Sequence, residues 1–524
     1  MKETTKNTFY QLILVYAFFI LLISLGFLNK LSLQFHILAF IIAFLGISIL
    51  PKEIEEKSNK KYHYLFLISI ILIIILIRTI PYINNSVPLG YDPGIYKYGI
   101  EQGLEKQDRW ILSGGMEPGF LYLMEIFKPF LSSSLILIEL FIFFSALLGL
   151  SIYLFTKELI NKEAAIFSTL VYALSIVQFK TFWYLYYKNV IGLILMISSL
   201  YFLTKYEKLD KKLFLTLFII TSGLLLSIHR PTFYIFGLSY LFYAFINPYS
   251  ISHKIYNFKK LKLNIISGVL IILLGFSFYI GKFLPAITSI LPSVAKGFIS
   301  PGESPGTFMN FFSYQFSILF YLPISLLGLF YFLKKKNFNM LAIWAIINLS
   351  IVYFQFFFFN RFIIHLDIAL IILSGAGFSI IKQNKKMLPL IILLTLFISG
   401  GIIAFNESKN SKPLISEETL SLIEKIPEVT EDKAKILVIS SEYSPWVKGY
   451  SYRTTIAPGL FDENKWDETQ WNKFLSLTDK TQTKEMLSIY EKPIYMFAGT
   501  KNFNNPCFSI YLEETGGKIY KYDC

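Results

Sequence analysis

The chain has 524 residues, of which 54% are hydrophobic and only 16% charged, and it carries a formal net charge of +14. So much apolar surface excludes an ordinary soluble fold and makes the sequence read as a polytopic membrane protein. Nucleic-acid binding is excluded as well, because the lysines cluster between apolar runs, where membrane topology accounts for them.

No cleavable signal peptide is expected, since the first apolar run is long, lacks a small-residue cleavage site and is followed at once by a second. In chain order, runs near the ~20 residues that cross a bilayer predict about thirteen membrane helices. They cover residues 9–28, 31–50, 62–80, 135–155, 164–179, 182–203, 213–228, 232–246, 263–280, 308–333, 340–359, 362–381 and 388–405. With the N-terminus taken as cytoplasmic, the clusters around Lys52–Lys61, Lys157/Lys162, Lys205–Lys212, Lys254–Lys262, Lys334–Lys336 and Lys382–Lys386 all fall on the inner side. That alternation satisfies the positive-inside rule. The outer side receives the loop 81–134, turns at Lys180, His229-Arg230 and Asn360-Arg361, the Pro/Gly-rich loop 282–307, and the C-terminal tail.

The same topology gathers Asp92, Glu101, Glu117, His229, Arg230, Glu303 and Arg361 on one membrane face. Charges at the hydrocarbon boundary are costly and tend to mark function. In the stretch GYDPGIYKYG (90–99), Gly90, Pro93 and Gly94 are turn residues and 95–106 has helical spacing, so Asp92 reads either as the cap of a short interfacial helix or as part of a site. Glu117-Pro118-Gly119, followed by an amphipathic stretch over 120–130, repeats that design.

These motifs make the chain resemble the GT-C superfamily of integral membrane glycosyltransferases, such as its mannosyltransferases and aminoarabinose transferases, which use polyprenyl-phosphate-linked sugars. Asp92 with Tyr96 matches the acidic Asp-x-x-x-Tyr setting in the first outer loop. Asn360-Arg361-Phe362, running on into Ser374-Gly375-Ala376-Gly377, is similar to the late Arg-bearing helix of that group. The resemblance implies a helical membrane domain over 1–405 that passes a sugar from a polyprenyl-phosphate donor to an extracytoplasmic acceptor, with inversion. The acceptor class, whether glycan, lipid or protein, stays open. It also implies roles: Asp92 as the base that takes the acceptor's proton, and Glu117 as a second catalytic carboxylate that binds hydroxyls or shares a divalent Mg or Mn ion with Asp92. Arg361 and then Arg230, with His229, are the expected contacts to the departing phosphate, because guanidinium grips phosphate in bidentate fashion. His229-Arg230-Pro231 reads equally as a tight turn between two helices, and Glu303 either closes over substrate or is merely solvated.

The chain departs from the oligosaccharyltransferase branch. It has no Asp-x-Asp motif in its second outer loop, and Ser444-Pro445-Trp446-Val447-Lys448-Gly449-Tyr450 is only a faint counterpart of Trp-Trp-Asp-Tyr-Gly. Transfer to asparagine is therefore not expected. The first two helices form an added hairpin that preserves the topology.

Residues 406–524 change to the composition of a small extracytoplasmic α/β or α+β domain. Ser416 is a helix cap, 435–440 and 493–497 read as strands, and 508–512 with 518–522 as a hairpin. Cys507 and Cys524 are either a disulfide or two free thiols. Trp446, Tyr450 and Arg453 contact a sugar, or else Trp446 is core. Two other classes compete with the enzyme: a flippase of lipid-linked sugars, which places ionisable groups at the bilayer midplane, and a glycan polymerase or ligase, which leans on late loops rich in Arg and His.

Overall fold

The computed structural model describes residues 2–25, 32–51, 53–54, 63–105, 116–250, 255–281, 283–284, 308–335, 338–356, 359–384, 387–458 and 465–524. In the membrane domain the helices are α1 (Lys2–Ser24), α2 (Ser32–Gly46), α3 (His63–Thr79), α4 (Pro93–Gln102), α5 (Pro118–Phe127) and α6 (Ser133–Leu159). They are followed by α7 (Lys162–Leu174), α8 (Ile176–Trp183), α9 (Tyr187–Leu209), α10 (Lys212–Ile228), α11 (Arg230–Ile246) and α12 (Phe258–Ser277). The last are α13 (Phe311–Ile318), α14 (Leu322–Lys334), α15 (Met340–Tyr353), α16 (Phe359–Asn384) and α17 (Leu388–Asn410).

Among the described residues, 7 of these helices are long and apolar enough to cross a membrane, or up to 9 if each of two bent pairs counts as one span. Each of the thirteen predicted runs meets a helix or a bent pair, and the four beyond nine are α2, α10, α11 and α15, helices of 15, 17, 17 and 14 residues. The predicted runs 164–179 and 182–203 place a turn at Lys180, but the chain instead bends by 51° between α7 and α8 and turns fully at Tyr184-Leu185-Tyr186, where Leu185 has φ 54°. Run 308–333 folds into α13 and α14, bent by 82° with Pro323 in the first turn of the second helix. Helices α2, α10 and α15 are apolar but shorter. Hydropathy sums over a bend and therefore cannot locate it.

Helix α16 forms the centre of the bundle and is buried along its whole apolar length. Its small residues make this possible: a Cβ on Gly377 would lie 1.9 Å from the Ile324 carbonyl, and one on Gly328 of α14 would lie 2.1 Å from the Leu373 carbonyl. The two backbones touch, which is how helices gain packing where lipid supplies no hydrophobic drive. Asp367, in the third turn of α16 and fully buried, accepts from Ser175 Oγ at 2.9 Å and Gln178 Nε2 at 2.7 Å, and also from the Tyr321 hydroxyl. Both bent pairs are thus fastened at their breaks to one carboxylate, which keeps polar groups there satisfied away from water. Asp367 escaped the sequence reading, which saw charged groups only at one end.

The C-terminal region carries α18 (Glu417–Val429), β1 (Lys435–Val438), α19 (Ser444–Ser451), β2 (Thr454–Ile456), α20 (Glu468–Ser476), α21 (Lys480–Leu487), β3 (Ile494–Gly499), β4 (Phe508–Glu514) and β5 (Gly517–Tyr522). The sheet order is β2-β1-β3-β5-β4, parallel in its first three strands and antiparallel in the hairpin. Ser416 caps α18 by accepting from the Thr419 amide. Cys507 and Cys524 form a disulfide, which ties the last residue to the foot of β4.

Candidate active site

Five helices begin at one end of the bundle, and each brings a charged residue in its first turn or just before it. Asp92 immediately precedes α4, and Glu117 immediately precedes α5. Lys188 is the second residue of α9, Arg230 opens α11, and Arg361 lies in the first turn of α16. Helix N-termini carry partial positive charge, so this convergence favours an anion beyond what the side chains supply.

Asp92 does not do what its position suggests. It precedes Pro93 at the helix start, yet its side chain makes no capping hydrogen bond. Burial raises its pKa above the ordinary aspartate value, while Arg361 and Lys188 pull it back. Gly90 brings the preceding turn close enough for this: it has φ 90°, and a Cβ there would sit 2.7 Å from the Tyr184 carbonyl.

Glu117 is 2% exposed and paired twice, to Lys188 Nζ at 2.7 Å and to Arg230 Nε at 3.4 Å. Burial alone would raise its pKa, but Lys188, Arg230 and His229 outweigh it and hold the carboxyl at about 2. Because that value is depressed, the pairing stabilises the fold fully above the unfolded pKa of ~4.3 and is lost as pH falls through about 2. Glu117→Gln leaves two buried cations without a counter-charge and is expected to destabilise the protein by about 3 kcal/mol or more. It should also flatten the acid limb of stability between these pH values; thermal unfolding in detergent against pH measures both. A variant with the wild-type acid limb would show that this pair contributes nothing.

Lys188 joins the two carboxylates electrostatically and was absent from the sequence reading. The signal was present: it is a lysine inside the apolar run 182–203, away from any loop. The Arg361 guanidinium lies 5.8 Å from the Tyr186 ring centroid, and its buried Nε has no hydrogen-bond partner among the described residues. An unpaired guanidinium donor near a carboxylate is a natural anion contact. Tyr96 is buried against Phe120 and Tyr187, with its hydroxyl bonded to the Lys188 backbone. His229 lies between α10 and α11, and its Nδ1 meets Thr232 Oγ1 at 2.6 Å.

The C-terminal aromatic stretch is placed differently from the expectation that it binds sugar. Trp446 is fully buried, in the core that also takes Val87 and Phe497, and stacks on Tyr450. Tyr450 is itself buried, with Lys97 Nζ 4.9 Å from its ring centroid. Arg453 donates to the Pro427 and Thr430 carbonyls at 2.9 and 3.0 Å and pairs with Asp432, and so closes the end of α18. Packing the domain consumes all three side chains. Glu303 lies outside the described residues.

What the stretch does instead is clamp α4. A Cβ on Gly449 of α19 would lie 1.8 Å from the Gly94 carbonyl, and one on Gly94 would lie 2.0 Å from the Pro445 carbonyl, so the two helices cross in backbone contact. Lys97 pairs with Glu101 at 3.0 Å and with the Tyr452 hydroxyl, and the Tyr91 hydroxyl donates to the Ser441 carbonyl at 2.7 Å. Ser86 donates from both its amide and its hydroxyl to Glu417. The C-terminal domain thus holds the loop that bears Asp92.

Among the described residues, no three His, Cys, Asp or Glu side chains come together as a metal shell. With Glu117 already neutralised by two cations, the donor set present does not fit a divalent ion held by Asp92 and Glu117 jointly.

The architecture recurs in solved structures. The Archaeoglobus fulgidus oligosaccharyltransferase bearing a tethered acceptor peptide superposes with a TM-score of 0.62 at 17% identity, over 84% of this chain and 69% of that one. The oligosaccharyltransferase AglB from Archaeoglobus fulgidus, complexed with an inhibitory peptide and dolichol-phosphate, also matches (TM-score 0.60, 15% identity, 84% and 70% coverage). A third contains Zn and sulfate. ArnT from Cupriavidus metallidurans bound to undecaprenyl phosphate matches with a TM-score of 0.56 at 9% identity, over 88% of this chain and 98% of that one. No protein-family model and no curated protein matches the sequence. The chain therefore shares the fold of these structures: a bundle of apolar helices with a small C-terminal sheet domain.

Proposed function

We propose that the chain is a membrane glycosyltransferase that moves a sugar from a polyprenyl-phosphate donor to an acceptor outside the cytoplasm. The observation that carries this reading is the placement of Asp92: a carboxylate at a helix start, not used as a cap, that faces Arg361 and Lys188 at a cluster of helix N-termini.

Chemistry follows from that placement. Asp92 takes the proton of the acceptor hydroxyl as its oxygen bonds to the anomeric carbon. The bond from that carbon to the phosphate oxygen breaks on the opposite face, and its electron pair leaves with the lipid phosphate. Configuration is inverted. The leaving phosphate gains charge where Arg361, Lys188 and Arg230 converge, which is where preorganised cations lower the barrier most. Glu117 keeps Lys188 and Arg230 in place and offsets their mutual repulsion. The lysine pattern puts the N-terminus in the cytoplasm and the C-terminal domain outside a plasma membrane. The fold neighbours named with dolichol-phosphate and undecaprenyl phosphate support a lipid-linked donor.

Membranes containing the wild type are expected to transfer label from radiolabelled polyprenyl-phosphate sugars, and Arg361→Ala to lose about 2 to 3 orders of magnitude, as removal of a transition-state charge contact does. Movement of lipid-linked sugar across a bilayer without any transfer would replace this reading with the flippase.

A further inference from the structure

A second polar chain runs from the site into the bundle and is not used by the chemistry above. His229 Nδ1 lies 2.6 Å from Thr232 Oγ1, and the same Thr232 oxygen lies 3.2 Å from His365 Nε2. All three side chains are buried, with exposures of 6%, 0% and 1%. Thr232 belongs to α11, while His365 is one turn beyond Arg361 on α16, so the chain also links the two arginine-bearing helices. His365 packs edge-on against Trp344 and Phe362, at 6.4 and 5.8 Å between ring centroids.

The direction of the hydrogens follows from what is left over. His365 Nδ1 and Trp344 Nε1 are both buried without a hydrogen-bond partner among the described residues. Indole nitrogen is a donor only, so the neighbouring ring supplies nothing that could accept a hydrogen from His365 Nδ1. A buried orphan N–H is also rarer than a buried orphan lone pair. The proton of His365 therefore sits on Nε2 and is donated to Thr232 Oγ1. The threonine hydroxyl then donates onward to His229 Nδ1, which leaves the His229 proton on Nε2. A neutral imidazole has one donor and one acceptor nitrogen, and the bond made by one fixes the other.

The site is what remains around that second nitrogen. Apart from His365, the groups that act electrostatically on the His229 ring are Glu117, Lys188 and Arg361, and the two cations among them also flank the proposed phosphate position. We infer that Thr232 and His365 are positioning residues that lock His229 as an Nε2–H donor, so that the site grips the donor's phosphate with one fixed neutral hydrogen bond beside its cationic side chains. This rests on the glycosyl-transfer reading. Gly192 of α9 packs against the same pair: a Cβ there would lie 3.0 Å from His229 Cβ, 3.3 Å from Thr232 Oγ1 and 3.4 Å from His229 Nδ1, tight enough to press on the bond.

The test is a double-mutant cycle in the full-length membrane protein. Thr232→Val keeps the shape and removes the hydroxyl; His229→Phe removes the proposed donor. Each is expected to lower kcat/KM for a polyprenyl-phosphate sugar by about tenfold, the worth of a hydrogen bond to a charged group. The double variant should be no worse than either single one, because Thr232 acts only through His229. Thr232→Ser should restore most of the rate. Should Thr232→Val not fold, Gly192→Ala takes its place with the same expectation. Additive losses of about a hundredfold, or a Thr232→Val enzyme as fast as wild type, overturn the inference while leaving the enzyme reading intact. Thermal stabilisation by undecaprenyl phosphate separates the two levels: a wild type that neither transfers sugar nor is stabilised by the lipid removes the enzyme reading and, with it, any phosphate for His229 to hold.

Discussion

Asp92→Asn is expected to abolish transfer, by a factor of about a hundred to ten thousand, without weakening the fold. The size is what removal of a general base costs when the nucleophile is an ordinary hydroxyl. The stability half of the expectation comes from the direction of the shift. Burial raises the Asp92 pKa, with Arg361 and Lys188 only partly opposing it. A carboxyl whose folded pKa lies above its unfolded ~3.9 costs stability once pH has risen past the unfolded value, so at neutral pH the ionised Asp92 is a burden on the fold. Asparagine removes that burden. The variant should unfold in detergent at the same temperature as wild type or higher, still be stabilised by undecaprenyl phosphate, and be inactive. A residue retained for packing or capping would behave in the opposite way, losing stability and activity together. An active Asp92→Asn enzyme would sink the assignment of this residue as base.

Gly449→Ala, in the C-terminal domain, should abolish the proposed transfer. The added methyl would sit 1.8 Å from the Gly94 carbonyl, and because the obstacle is backbone, no side-chain rotation can relieve it. Helix α19 must back away from α4, at a cost of about 1 to 3 kcal/mol for an overpacked contact and more where the backbone resists. Gly94 is two residues from Asp92, so the separation moves the carboxylate relative to Arg361, and a displacement near 1 Å is enough to cost about a hundredfold in rate. Gly94→Ala, at 2.0 Å from the Pro445 carbonyl, should behave the same way. The control is Gly401→Ala, where nothing lies within 4 Å. The paired readouts are limited proteolysis of the C-terminal domain and transfer rate. Faster cleavage together with lost transfer is the expected result; full activity in Gly449→Ala would mean that the domain does not position the loop.

Both expectations depend on contacts that differ in how far the sequence announces them. Asp92, Glu117, Arg230 and Arg361 stood out because charges are rare in an apolar chain and the lysine alternation sorts them to one side. Lys188 was hidden because it falls within a hydrophobic run, where a single lysine reads as snorkelling. Asp367 was hidden for the same reason, and the Thr232–His365 contact because it joins residues more than a hundred positions apart. Trp446, Tyr450 and Arg453 misled in the other direction: an aromatic, turn-rich stretch looks like a sugar platform until the domain's core closes over it.

The sequence by itself determined the membrane class, the acidic loop, the late arginine helix and the separate C-terminal domain. These follow from composition and from local patterns that hold whatever the chain does elsewhere. Only the tertiary structure decided where the helices bend, which cations face which carboxylate, that Asp92 leaves the cap unused, and that α19 sits on α4. Those depend on distances between residues far apart in the chain. Hydropathy and spacing report on neighbours along the backbone; ion pairs and backbone crossings are set by which helices the packing brings together.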